Sequence, residues 1–307
     1  MPIKIPDDLP ARAVLEAEGI AIIRSQDAMR QDIRPLRVLL LNLMPKKVET
    51  EIHLARLLSY TPLQVELTLL TTSTYTPMNT APTHLKAFYR TLDEVRDEKF
   101  DGLLVTGAPV ERIAFEDVDY WQELCGIFDW ARDHVTRSLN ICWGAQAALY
   151  HEFGIPKHDL PAKASGIFEQ QVVAPNRRTL RGFPARFPMA VSRYTGTRRA
   201  DVESHPDLTV LIESAETGIA VIEHKARGDL YIFNHFEYEA DTLRLEYERD
   251  IVAEDSIDVP ANYFPGDDPA AEPVNTWRPY GYLIFSNWIG GLYHDTPFDL
   301  AEIGKGC

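Results

Sequence analysis

One cysteine lies where a predicted strand meets a predicted helix. In the stretch RSLNICWGAQ, residues 137–146, Cys142 ends an apolar run and directly precedes Trp143 and the helical residues after it. The reactive form of cysteine is the thiolate, and a helix N-terminus stabilises anions through its macrodipole and unpaired N–H groups, so this position is expected to lower the pKa of the thiol. The same N–H groups can hold an oxyanion. Cys142 is therefore a candidate nucleophile.

A histidine and a glutamate lie at the end of another predicted strand. In the segment FNHFE, residues 233–237, Glu237 follows His235 by two positions, and an extended backbone turns such residues to one face. Ligands of open parallel sheets bind beyond the carboxyl ends of the strands, so Cys142 and His235 are expected at one edge. A thiolate, a base and a carboxylate that fixes the tautomer of the base can carry out acyl transfer. From spacing alone, such a pair is more often two unrelated core or surface residues, and the strand-end positions of both bring the functional interpretation to about equal weight.

The elements that must position these side chains alternate between strand and helix patterns. Apolar runs typical of buried strands lie at 37–44, 64–72, 100–106 and before Cys142, and helical spacing is found at 46–59 and 120–135. Short β-rich runs at 208–213, 219–224 and 230–235 precede a charged helix at 239–254. This alternation predicts an α/β fold with a doubly wound, mostly parallel sheet and helices on both faces.

The remaining segments have weaker patterns. Residues 156–188 are rich in Pro, Arg and Gly and are predicted to form a loop or short hairpin over the sheet edge, and 259–273 is predicted to be a connector before the aromatic stretch 277–293. We predict an N-terminal arm at 1–35, a single α/β domain at 36–296 and a C-terminal tail at 297–307.

Length, composition and net charge limit the classes of protein to which this chain can belong. A chain of 307 residues with 45% hydrophobic residues can bury a full core, and a net charge of -15 argues against a nucleic-acid or anionic-membrane surface. Neither an apolar run of about 20 residues nor a signal-peptide core is found, so we expect a cytoplasmic protein. Of the three cysteines, Cys125 is predicted to be a buried helix thiol and Cys307 a loose terminal residue, with no disulfide framework. No metal site is predicted.

Several separate motifs together resemble the homoserine O-acyltransferase family of methionine biosynthesis. They are NLMPKK at 42–47, TGAP at 106–109, CWGAQ at 142–146, HFE at 235–237 and EYERD at 246–250, in the family's order, and the resemblance extends from the N-terminal arm to Trp288. The resemblance implies a class I glutamine amidotransferase-like (flavodoxin-like) fold. It also implies an acyl-CoA co-substrate, L-homoserine as acceptor, no permanently bound cofactor, and a homodimer.

The resemblance assigns roles to individual residues. Cys142 is implied to be the acyl-thioester nucleophile, His235 the general base of both half-reactions, and Glu237 its partner. Three further residues are implied to contact substrate: Lys163, Ser192 and Arg249. The guanidinium of Arg249 is suited to the homoserine carboxylate.

Two lysines and one backbone N–H are candidates for oxyanion or coenzyme A contacts. Lys46 and Lys47 follow the first strand, and at a helix N-terminus they oppose the macrodipole, which modestly favours a functional interpretation. The alternative is that they face solvent, as two adjacent lysines usually do. The N–H of Trp143 lies at the start of the helix after the cysteine.

Glu111 is implied to decide the acyl donor. Glutamate at this position, within TGAPVE, goes with acetyl-CoA users, whereas glycine resembles the succinyl-CoA users. A carboxylate beside the acyl pocket would repel the terminal carboxylate of succinate, by about 4 kcal/mol at about 4 Å and an effective dielectric near 20. We therefore expect acetyl-CoA as donor. Succinyl-CoA remains the alternative, since a solvent-facing Glu111 would leave the choice to other loops.

Two other classes of protein share these features. A glutamine amidotransferase-type hydrolase uses the same Cys–His–Glu logic, although Asn140 stands where its nucleophile turn usually has glycine. A non-catalytic binding protein could carry Cys142 as a regulatory or redox-sensing thiol, which the presence of His235 and Glu237 disfavours.

Overall fold

A single twelve-stranded sheet organises the part of the chain that the computed structural model describes, residues 3–18, 22–23, 34–75, 79–253 and 257–305. Cys307 lies outside these residues. The centre of the sheet is parallel, and its strands lie in the order β4 (Val65–Leu70), β3 (Leu36–Leu41), β6 (Phe100–Val105), β7 (Val135–Ile141) and β12 (Leu230–Ile232). These strands are the apolar runs of the sequence, and they are buried because helices cover both faces. The predicted doubly wound, mostly parallel sheet is confirmed.

The helices cover the two faces of the sheet. Alternate residues of β3 pack into different cores, Val38 and Leu40 into one, and Leu39 and Leu41 into the other. The first core contains α1 (Ala11–Ala17), α2 (Lys47–Leu58) and α9 (Arg278–Asp295), and the second contains α5 (Trp121–His134) and α6 (Trp143–Phe153). The other helices are α3 (Pro82–Phe88), α4 (Leu92–Val95), α7 (Arg199–Glu203) and α8 (Thr242–Ala253).

The sheet becomes antiparallel after β12. Beyond β12 lie β11 (Gly218–His224), β10 (Leu208–Ser214), β8 (His158–Val172) and β9 (Arg186–Gly196). Of the loop or short hairpin predicted at 156–188, the hairpin is present at the sheet edge, but it is long and part of the sheet, because β8 pairs with β9 from Ala164 to Gln171 without interruption. The prolines misled the prediction, since Pro161 lies within the register shift between Asp159 and Ala164, where no ladder hydrogen bond is lost.

Part of the predicted N-terminal arm joins the sheet. The short strands β1 (Ile3–Lys4) and β2 (Ile22–Ile23) extend it in parallel beside β4, and α1 buries Ala11 and Leu15 in the first core. On its other flank β4 also pairs with β5 (Tyr89–Arg90). None of the helices in the described ranges is both long and apolar enough to cross a bilayer.

Candidate active site

Cys142 occupies a strained turn between β7 and α6. Its backbone has φ 52° and ψ -121°, a conformation that non-glycine residues rarely adopt and that concentrates at functional sites. The N–H of Cys142 donates to the carbonyl of Ile232 at 2.6 Å, and its own carbonyl accepts the N–H groups of Ala145 and Gln146 at 3.0 and 3.2 Å. The strand, the turn and the helix therefore fix the thiol at the carboxyl edge of the sheet, as in the nucleophile turn of α/β hydrolases.

Two glycines allow the neighbouring loop to pass close to this turn. A Cβ added at Gly144 would lie 2.5 Å from the carbonyl oxygen of Thr106, and one added at Gly107 would lie 3.1 Å from Cys142 Cβ and 3.7 Å from its Sγ. The first contact is too close for a side chain, and the second is tighter than normal packing. The backbone after β6 therefore forms one wall of the site around the thiol.

His235 is oriented from three sides. Its backbone N–H donates to the carbonyl of Ala190 at 2.9 Å, its Nδ1 lies 2.6 Å from Glu237 Oε1, and the ring of Tyr238 stacks on the imidazole with centroids 3.9 Å apart and planes at 18°. Within the described residues His235 Nε2 makes no hydrogen bond to an oxygen or nitrogen atom. Burial opposes a charged imidazole, but Glu237 and then Cys142 outweigh it and raise the pKa of His235. The base is held with Nε2 available for proton transfer.

Glu111 turns its carboxylate toward the thiol. Cys142 Sγ lies 3.4 Å from Glu111 Oε1, within range of an S–H donor, and the backbone N–H of Tyr194 donates to Glu111 Oε2 at 2.6 Å. Burial, followed by the nearby Glu111 charge, raises the pKa of Cys142, and His235 only partly opposes this. The sequence predicted a lowered thiol pKa from the helix N-terminus alone. That prediction is wrong because it did not include burial and the carboxylate.

A second group of charged side chains lies on β8, β9 and α8. Lys163 Nζ donates to Asp250 Oδ2 at 2.6 Å and to Glu246 Oε2 at 3.4 Å, and the hydroxyl of Ser192 donates to the same Glu246 oxygen. Arg249 pairs with Asp250 Oδ1 at 2.7 Å, and 63% of its side chain is exposed. Burial opposes the charge on Lys163, yet Glu246 and Asp250 outweigh it and raise its pKa. The three predicted substrate contacts therefore meet in one network, here called the acceptor cluster: Lys163, Ser192, Glu246, Arg249 and Asp250.

The acceptor cluster borders a cleft and is linked to the base. The cleft has a volume of about 620 Å³, and Lys163, Tyr194 and Asp250 are among its lining residues. Tyr238, which stacks on His235, donates its hydroxyl to Glu246 Oε1 at 2.6 Å. Sequence reasoning missed Glu246 and Tyr238. The spacing of Glu246 and Asp250, four residues apart on a charged helix, was a signal for a shared face, but it did not show what that face meets.

The remaining candidates, Lys46, Lys47 and Trp143, differ in burial and in hydrogen-bond partners. Lys46 is exposed and pairs with Glu49 at 3.2 Å, whereas Lys47 is 2% exposed and donates to the carbonyl of Asn42. Burial lowers the pKa of Lys47 to about 8, although Glu51 opposes the shift. Among the residues the structure describes, no hydrogen bond or ion pair joins either lysine to Cys142. The indole of Trp143 is fully buried, so only its backbone N–H, in the first turn of α6, is available to the site.

Comparison with known proteins agrees with the fold and with the motifs. The sequence pattern of the homoserine O-succinyltransferase family matches residues 2–298. A homoserine O-acetyltransferase from Brucella canis is 52% identical over 305 residues, which cover 99% of this chain and 100% of that protein.

Solved structures with a similar fold include amidotransferases. A glutamine amidotransferase from Methylobacillus flagellatus has a TM-score of 0.53 at 14% identity, over 85% of this chain and 96% of that one. A glutamine amidotransferase from Thermotoga maritima has a TM-score of 0.51 at 13% identity, over 88% and 98%. Likeness at such identities shows the fold alone, and it confirms the predicted glutamine amidotransferase-like architecture. Because the family pattern and the Brucella relative both span nearly the whole sequence, the chain belongs to the homoserine O-succinyltransferase family.

Proposed function

We propose that this protein is a homoserine O-acetyltransferase, which transfers acetyl from acetyl-CoA to the hydroxyl of L-homoserine through a thioester on Cys142. The observation that carries the proposal is the arrangement of the thiol, on a strained turn, with a Glu237-oriented imidazole and the Glu111 carboxylate beside it. A thiol, a base and a carboxylate that orients the base are the groups that covalent acyl transfer requires.

In the first half-reaction Cys142 takes the acetyl group. His235 Nε2 accepts the thiol proton, the sulfur attacks the thioester carbonyl, and the bond from that carbon to the coenzyme A sulfur breaks. The departing thiolate then takes the proton from His235 and leaves as coenzyme A. In this proposal the N–H of Trp143, the first residue of α6, and the backbone beside Gly107, which passes close to Cys142, hold the developing oxyanion.

In the second half-reaction homoserine accepts the acetyl group. His235 takes the proton of the homoserine hydroxyl, the oxygen attacks the Cys142 thioester, and the carbon–sulfur bond breaks. The Cys142 thiolate regains the proton from His235, which restores the starting state. The acceptor cluster offers both signs of charge to the amino acid, and the mostly exposed Arg249 has a guanidinium suited to its carboxylate.

The choice of donor rests on Glu111. The family is named for succinyl transfer, whereas the Brucella relative is named for acetyl transfer, so the name does not decide between them. Glu111 Oε1 lies 3.4 Å from the sulfur that would bear the acyl group. A succinyl chain on that sulfur would bring a second carboxylate against Glu111, at a Coulomb cost of about 4 kcal/mol or about a thousandfold. An acetyl group meets no such repulsion.

Mass spectrometry of the intact protein tests the proposal. After mixing with acetyl-CoA we expect an acetyl adduct on Cys142, absent in Cys142→Ala, which L-homoserine then discharges as O-acetyl-L-homoserine. Succinyl-CoA should give little adduct with the native protein and more with Glu111→Gly. No adduct with either donor would refute the thioester route, and a faster succinyl adduct on the native protein would refute the assignment of the donor.

The resemblance also leads us to propose a cytoplasmic homodimer acting in methionine biosynthesis. Light scattering after size-exclusion chromatography measures the mass in solution. A mass of one chain across micromolar concentrations would contradict the dimer.

A further inference from the structure

Arg193 is a buried cation whose hydrogen-bond partners among the described residues are all neutral oxygens. Its side chain, on β9, is 3% exposed. Nε donates to the side-chain oxygen of Asn234 at 3.2 Å, Nη1 to the carbonyl of Thr195 at 2.9 Å, and Nη2 to the carbonyl of Thr217. Throughout the described parts of the chain, no carboxylate forms an ion pair with this guanidinium.

The other buried arginine among the described residues is paired with carboxylates, as buried arginines usually are. Arg56, on α2, is 6% exposed and pairs with Glu18 at 2.6 Å and with Glu239. A buried charge is costly unless it is paired, so an arginine satisfied only by neutral oxygens requires an explanation. Such exceptions concentrate where a charge is used.

The contacts of Arg193 surround the reaction site. Asn234 directly precedes His235, and the next residue after Arg193, Tyr194, donates its backbone N–H to Glu111. Thr195, whose carbonyl accepts from Arg193, donates its hydroxyl to Gln146 Oε1 in the first turns of α6. The side chain thus ties together the segments that carry the base, the donor-selecting carboxylate and the helix after the nucleophile.

The charges that face this guanidinium are those of the site. Burial lowers the pKa of Arg193, and the two groups that oppose the shift are Cys142 and then Glu111. The groups that act on the thiol are Glu111 from the loop after β6, His235 from the segment after β12, Tyr238 beside the imidazole, and Arg193 from β9. Without Arg193, ionisation of the thiol would place a second negative charge next to Glu111, with His235 as the cation beside the thiol and Lys157, just before β8, acting on Glu111.

We propose that Arg193 is a positioning residue of the transfer reaction, whose buried positive charge balances the Glu111 carboxylate so that Cys142 can become a thiolate beside it. The inference deepens the proposed function and rests on Cys142 as its nucleophile. Glu111 can then exclude a dicarboxylic acyl group while opposing ionisation of the thiol less than it would without Arg193. A hydrogen-bonding role for Arg193 alone would not require its charge.

The pH dependence of Cys142 alkylation by iodoacetamide tests the role of Arg193. The measurement uses a Cys125→Ser, Cys307→Ser background, so that only Cys142 can react, and no acyl donor is added. In Arg193→Met the midpoint of the rate profile should rise by about one pH unit, which is about tenfold slower alkylation below the midpoint. Arg193→Lys should keep the midpoint, because it keeps the charge. The double change Glu111→Gln with Arg193→Met should restore it, because both charges are gone.

Controls separate charge from folding. Arg34→Met removes a guanidinium that pairs with Asp101 at the amino ends of the strands, and it should leave the midpoint unchanged. Thermal melting establishes that each variant folds, and Arg193→Gln replaces Arg193→Met if the latter does not. An unchanged midpoint in a folded neutral variant, or failure of the double change to restore it, overturns the role of Arg193. Because no acyl-CoA is used, these results are independent of whether the native protein forms an acetyl adduct.

Discussion

The two sides of the candidate active site are built by different means. On the donor side, Cys142 is held by the main chain, through its strained turn, its N–H bond to Ile232 and the close approach of the backbone at Gly107. On the acceptor side, the polar groups are held by one another, through ion pairs and hydrogen bonds among side chains of β8, β9 and α8. The parallel half of the sheet carries the first side, and the antiparallel hairpin carries most of the second.

This difference indicates what each side can tolerate. Backbone geometry cannot adjust to an added atom without moving strands, so the donor side should respond sharply to small steric changes. In the acceptor cluster Asp250 is paired with two cations, Lys163 and Arg249, so one partner remains when the other is lost and the acceptor side should lose affinity by degrees. Tyr238 joins the two sides, because its ring stacks on His235 and its hydroxyl binds Glu246.

The largest effect is expected from Glu237→Gln on the donor side. An amide cannot stabilise the imidazolium, so kcat should fall by about a thousandfold. Glu237 also raises the pKa of His235, so its loss should let the imidazole release its proton at lower pH and move the acidic limb of the pH–rate profile downward. Steady-state rates between about pH 5 and pH 9 measure both the fall in kcat and the shift of the acidic limb. An acidic limb at the same pH as in the native protein would show that Glu237 does not act on His235.

Gly144→Ala should have the next largest effect on activity, and it tests whether the donor side is sensitive to small steric changes. The added methyl would lie 2.5 Å from the Thr106 carbonyl, so the turn at Cys142 must shift, and we expect acylation to slow by about a hundredfold. Gly126→Ala is the matched control, because its methyl would meet nothing within 4 Å on helix α5 and should leave activity unchanged. Rapid-quench measurement of the acyl-enzyme compares them. Equal rates for the two variants would contradict a donor side set by the backbone.

Lys163→Met should have a smaller effect that is confined to the acceptor. The variant leaves Glu246 and Asp250 without their shared cation, and we expect the KM for homoserine to rise by about tenfold. Steady-state kinetics with homoserine as the varied substrate measure this, and the rate of acylation by acetyl-CoA should not change. If acylation slows as much as the transfer to homoserine, the two sides are not separate.

Tyr238→Phe should have the smallest effect and tests the junction. Phenylalanine keeps the ring on His235 and removes only the hydrogen bond to Glu246, so acylation should be unchanged and discharge by homoserine should slow by about threefold to tenfold. Tyr238→Leu, which removes the stack as well, should slow both steps. Identical behaviour of the two variants would show that the hydroxyl makes no separate contribution.

Local patterns predicted the parallel half of the molecule well. The apolar runs at 37–44 and 100–106 correspond to β3 and β6, and the helix predicted at 120–135 is α5. A strand buried on both faces is apolar throughout, and this signal needs no knowledge of the partner strands. The length of the β8–β9 hairpin escaped prediction because β8 mixes exposed and buried residues without strict alternation and contains Pro161 at a register shift, so it carries no clear local strand signal.

By itself the sequence determined the family, through motifs spread along nearly the whole chain, and the order of strand, turn and helix that places Cys142 at the sheet edge. Only the tertiary structure decided that Glu111 faces the thiol, that burial and this carboxylate raise the pKa of Cys142, and that Arg193 is buried without a carboxylate partner among the described residues. The physical reason is that hydrogen-bonding periodicity is local along the chain. Electrostatic balance depends on burial and on charges brought together from distant segments.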